Sequence, residues 1–127
     1  MEITIKKIPI TLLEPGTDDD LAIVELVGNI DGSTASKVQA QVLPIAETNS
    51  RVILDMTQVP YMSSAGLRML LSVYRQVLAK EGQVVLVGLA EELQDTMSVT
   101  GFLDFFTTCA TIDEGCTALS VKVQVLS

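Results

Sequence analysis

Hydrophobic positions change their spacing several times along the 127 residues, and each change marks an element. From Ile3 to Leu13 apolar residues alternate loosely with polar ones and Ile and Thr are frequent, which reads as a strand that Pro9 pushes toward a sheet edge. Glu14-Pro-Gly-Thr-Asp-Asp-Asp20 supplies turn chemistry before a second strand at Leu21–Val27, so the opening predicts a hairpin. Its three consecutive Asp residues lack the alternating ligands, central Gly and closing Glu of a calcium loop, and read as a solvated turn. After the loop Gly28–Ser33 the spacing becomes helical: Ser33, Thr34 or Ser36 caps a helix to about Thr48, with Val38, Val42, Leu43 and Ile45 on its buried stripe.

Arg51-Val-Ile-Leu-Asp55 is a short apolar run that fits a strand buried on both faces. A helix from about Ser64 to Lys80 follows, with Leu67, Leu70, Leu71, Tyr74, Val77 and Leu78 facing the core, and Gly82 ends it. Gln83–Val87 reads as another buried strand, Glu91–Ser98 as a short helix and Phe105–Thr108 as a last short strand. A helix is expected from Ile112 or Asp113 to about Val125, although Val121, Val123 and Val125 alternate as a strand would. Strands separated by helices of this length imply βαβ crossovers. The expected class is therefore α/β, with a mixed sheet of four or five strands and helices chiefly on one face.

Composition narrows the possibilities. The length suits one domain over residues 1–127, and 48% hydrophobic against 19% charged residues means a chain that builds a core. A formal charge of -8 opposes direct nucleic-acid binding and docking on an anionic membrane surface, and the absence of His removes most Ser-His and Cys-His nucleophile schemes and His-ligated metal sites. No metal site and no cofactor are expected. Cys109 and Cys116 read as reduced thiols, and no apolar stretch approaches the length of a membrane span, so a soluble cytoplasmic protein without membrane insertion is expected. No Gly-x-Ser-x-Gly elbow or Gly-x-x-x-x-Gly-Lys loop is present, so an enzyme is not expected.

The segment richest in chemistry is Val52-Ile-Leu-Asp-Met-Thr-Gln-Val-Pro-Tyr-Met-Ser-Ser-Ala-Gly-Leu67. A buried strand ends in Asp55, Pro60 shapes the connection, and Ser63 and Ser64 meet the start of an amphipathic helix. There the unpaired N–H groups and the positive dipole end accommodate an added phosphate, whereas simple helix capping by the two hydroxyls is the structural alternative.

The whole arrangement resembles the STAS domain family, especially its bacterial anti-sigma-factor antagonists. Gly28-Asn-Ile-Asp31 is similar to the family's Gly-x-Leu-Asp loop, Val52-Ile-Leu-Asp55 to its central strand, and Met62-Ser-Ser-Ala-Gly-Leu67 to its phosphorylation segment. The resemblance implies phosphorylation at Ser64, with Ser63, which stands where the family often has Asp, as the alternative acceptor. It also implies partner switching: the unmodified protein binds an anti-sigma factor with serine kinase activity and releases the sigma factor, phosphorylation ends the complex, and a serine phosphatase restores it. ATP belongs to the partner. The expected partner-binding residues are Asp31, Ser63, Ser64, Gly66, Arg68, Met69 and Ser72, and Asp55 is assigned a structural strand-end role. The competing reading is a STAS regulatory module of a transporter, a lipid-transport complex or a stress-signalling scaffold.

Overall fold

The computed structural model describes residues 1–12, 20–49, 51–119 and 121–123. Strand β1 (Glu2–Leu12) pairs antiparallel with β2 (Asp20–Val27), in register from Glu2 opposite Val27 to Pro9 opposite Asp20. This is the expected hairpin; its Asp-rich turn lies outside the described residues. Helix α1 (Gly32–Thr48) leads to β3 (Arg51–Gln58), α2 (Ser64–Leu78) to β4 (Gln83–Val87), and α3 (Glu91–Val99) with a single 3-10 turn to β5 (Thr107–Cys109). Each crossover returns the chain parallel, so β2, β3, β4 and β5 lie parallel and β1 antiparallel, the expected mixed sheet.

The C-terminal expectation is corrected in part. Helix α4 stops at Ala118, having begun at Ile112, and Val121–Val123 forms a short strand β6 that pairs antiparallel with Leu12–Ile10. The alternating β-branched residues thus prevail over the helical reading, and β6 extends the order to β5-β4-β3-β2-β1-β6. Pro9 marks where β1 passes from one partner to the other.

Strand alternation divides the core in two. Ala22, Val24, Leu26, Val52, Leu54, Met56, Val84 and Leu86 form the larger layer with α1, α2 and α3, while Leu21, Ile53, Val85 and Val87 meet Cys116 and Leu119 at α4. Helices therefore lie chiefly on one face. Leu54 and Leu70 are both fully buried, as their positions in strand and stripe require. Cys109 and Cys116 are free thiols in or beside the smaller layer, and burial raises both above the usual thiol range.

The stripe of α2 is rotated from its expected position. Gly66, Leu67, Met69, Leu70, Val73 and Val77 are the buried positions, whereas Leu78 is 56% exposed. Tyr74 sits at the edge of the stripe, its ring 5.7 Å from that of Phe105 and 5.4 Å from that of Phe106.

Candidate functional site

The carboxyl ends of β2 and β3 carry the two loops that matter. A register shift between Glu25 and Val27 releases β2 from strict pairing, and Gly28 then takes a φ of 121°, a region that favours glycine. Beyond it the loops stay stitched together. The Gly28 N–H donates to the Gln58 carbonyl at 3.0 Å, Ile30 N–H to Tyr61 carbonyl at 2.9 Å, and Ser63 N–H to Ile30 carbonyl at 2.8 Å. An isolated parallel bridge joins Ile30 to Met62. Asp31 and Ser63, the residues immediately after that bridge, are consequently the caps of α1 and α2.

Asp31 closes α1 tightly. One carboxylate oxygen accepts from Ser33 N–H at 2.9 Å, Ser33 hydroxyl at 2.7 Å and Thr34 N–H at 3.1 Å, while Thr34 Oγ1 accepts from Asp31 N–H at 2.8 Å. This reciprocal capping box holds the Asp31 carboxyl below the usual range, the Ser33 hydroxyl being the largest cause. The cap is thus Asp31 and not Ser33, Thr34 or Ser36, because the carboxylate reaches the N–H groups of both residues that follow Gly32.

Ser63 behaves otherwise. Its side chain makes no cap hydrogen bond, and its Oγ is buried without a partner. Ser64, the first residue of α2, is exposed. Gly66 explains how the loops come so close: a Cβ there would collide with Met62 Cγ and lie 2.9 Å from Ile30 Cγ2.

Of the other expected contact residues, Arg68 is exposed and Ser72 half-buried on the outer side of α2. Two are corrected. Met69 is 1% exposed because it lies three residues after Gly66 and four before Val73 on the buried stripe, and Gly66 itself is buried as the packing point between loops. Neither presents a side chain outward. Asp55 serves its own strand end, accepting from Thr57 N–H at 3.1 Å and Thr57 hydroxyl at 2.6 Å. Tyr61 was not anticipated: it is 53% exposed in the loop before α2, and the signal for it was an aromatic residue following Pro60 in a connection. Among the described residues no three His, Cys, Asp or Glu side chains gather to hold a metal, and no helix is long and apolar enough to cross a membrane.

The profile of the STAS domain matches residues 13–115. The chain belongs to the STAS domain family. It is 32% identical over 89 residues to BtrV of Bordetella bronchiseptica, provisionally named an anti-sigma factor antagonist, covering 69% of this chain and 77% of that protein. It is 30% identical over 89 residues to the anti-sigma-B factor antagonist of Listeria monocytogenes, covering 68% and 77%. The STAS architecture also superimposes on the Bacillus cell fate determinant SpoIIAA solved in its phosphorylated form, with a TM-score of 0.63, 14% identity, and coverage of 91% and 98%. STAS proteins of this kind are regulators.

Proposed function

We propose that this STAS domain is an anti-sigma factor antagonist working as a binding switch. Unmodified, it binds an anti-sigma factor that is also a serine kinase, and the sigma factor goes free. The kinase then transfers the γ-phosphoryl group of its own ATP to Ser64 Oγ: a new P–O bond forms, the bond to ADP breaks, and the hydroxyl proton leaves to a base on the kinase. A serine phosphatase reverses the modification by hydrolysis. The domain itself catalyses nothing, holds no cofactor and acts in the cytoplasm.

The observation that carries this reading is an exposed Ser64 hydroxyl at a helix start that no side chain caps, beside a Ser63 hydroxyl that is buried. Open N–H groups in the first turn favour an added anion. Exposure supports Ser64 over Ser63 as acceptor, since a kinase must reach the oxygen. A phosphate brings about -1.5 to -2 charges to an interface, and a loss of about 3 kcal/mol there lowers affinity roughly a hundredfold.

The test is incubation with the cognate anti-sigma factor and ATP, followed by site-resolved mass spectrometry. One phosphate on Ser64, absent in Ser64→Ala, is expected. A phosphate on Ser63 would overturn the register, and none on either residue, with a kinase shown to bind, would remove the switch.

A further inference from the structure

Helices α1 and α2 pack side by side, and their outer surface carries a charge opposite to that of the chain. Of 16 acidic residues in the sequence the two helices hold Glu47 alone, in the last turn of α1, whereas Lys37, Arg68 and Arg75 are all exposed on them. Helices α3 and α4 are the reverse: Glu91, Glu92, Asp95, Asp113 and Glu114, with no cation.

On α2 the outward positions Ser64, Arg68, Ser72 and Arg75 recur at steps of four and three residues and so form one stripe. Ser72 is occupied by its own helix, its hydroxyl donating to the Arg68 carbonyl at 3.1 Å. Neither Arg68 nor Arg75 is held in an ion pair among the described residues. Two guanidinium groups on one face of α2, in no ion pair among the described residues, lead away from the exposed Ser64.

We propose that this stripe is the docking surface for an acidic face of the anti-sigma factor, and that a phosphate on Ser64 disables it through Arg68. The proposal rests on the switch reading above. Charge complementarity selects the occupant: the chain at large repels an acidic partner, and α1 with α2 is where it attracts one. Guanidinium forks engage carboxylates with two parallel hydrogen bonds, which gives register as well as attraction. Phosphoserine at position 64 lies four residues before Arg68, the favourable order for an acid-base pair along a helix. Its charge of about -1.5 to -2 exceeds that of the guanidinium, so the upper stripe changes sign just where the partner's carboxylates would lie. Arg68 is thus a positioning residue for the phosphate and a contact for the partner.

Two measurements separate this from the underlying reading. The first needs no partner: 31P NMR titration of the chain carrying phosphoserine at position 64, beside the same species with Arg68→Gln. Asp31, with its carboxyl below the usual range, stays charged through the phosphate's titration near pH 6 and is common to both samples. A second phosphate pKa lower in the Arg68 protein by several tenths of a unit is expected; superimposable curves would overturn the role of Arg68.

The second is affinity for the cognate anti-sigma factor at rising salt, with folding checked by thermal denaturation. Arg75→Gln should weaken binding of the unphosphorylated chain about tenfold at low salt, with the gap closing as salt rises, while Glu92→Gln on α3 should leave it unchanged. No loss in Arg75→Gln would overturn the docking surface. So would salt-sensitive binding of duplex DNA, or self-association abolished by Arg75→Glu, since these assign other occupants. A wild-type chain that binds no anti-sigma factor sinks the switch reading and the docking surface together, while the phosphate titration still reads Arg68.

Discussion

The amino termini of α1 and α2 are joined by the Ile30–Met62 bridge, yet they are finished in opposite ways. At α1 the Asp31 carboxylate and the Thr34 hydroxyl satisfy one another's backbone, and the helix end is electrically and geometrically complete. At α2 the cap residue offers a hydroxyl that bonds to nothing, and the first turn is left open. Helix α2 is instead held by its buried stripe, anchored at Gly66 against Met62 and Ile30. An end that is stable without a cap is an end free to accept a charged group. The neighbouring closed end supplies a fixed carboxylate beside it.

That contrast breaks most severely in the stripe. Leu70→Ala should cost about 2–5 kcal/mol in urea unfolding, because nothing at the start of α2 compensates for lost burial. Gly66→Val comes next: the added carbons strike Met62 and Ile30, and overpacking of this kind costs about 1–3 kcal/mol. It should also loosen both loops, visible as faster amide exchange at Ile30 and Ser63, whose N–H groups stitch them.

The closed end carries a pH signature. Because hydrogen bonds hold the folded Asp31 carboxyl below its ordinary 3.8, its stabilisation is present above that value. It is lost as pH falls through the folded value. Asp31→Ala should therefore unfold at lower denaturant than wild type at pH 6, and the gap should narrow in acid below pH 3.8. A gap independent of pH would mean that the carboxylate is not the cap. The smallest effect belongs to the open end. Removing a working Ser cap costs about 0.5–2 kcal/mol, whereas Ser63→Ala should fall within about 0.5 kcal/mol of wild type or on its stable side, since it deletes an unpartnered buried hydroxyl.

Much of this was legible in the residues. The run Val52–Leu54, the turn after it and the long amphipathic helix could be read directly, and the resemblance placed Ser64 at the helix start. The caps were not legible, because Asp31, Ser33, Thr34 and Ser36 are all good cap formers and only the path of the loop decides which oxygen reaches the open N–H groups. Met69 and Leu78 exchanged roles for a different reason. A hydrophobic count gives Gly66 no weight, yet its lack of a side chain lets α2 approach Ile30 and Met62, and that approach rotates the stripe toward Met69 and Val73. At the C-terminus the helix and strand patterns of Val121–Val123 were both present, and pairing with β1 decided between them.

Whether the open end of α2 is a switch is decided by isothermal titration of the anti-sigma factor into two samples: the unmodified chain and the chain phosphorylated at Ser64. Both samples should melt cooperatively, and phosphorylation should lower affinity by about two orders of magnitude, corresponding to about 3 kcal/mol. Equal affinities for the two folded samples would contradict it.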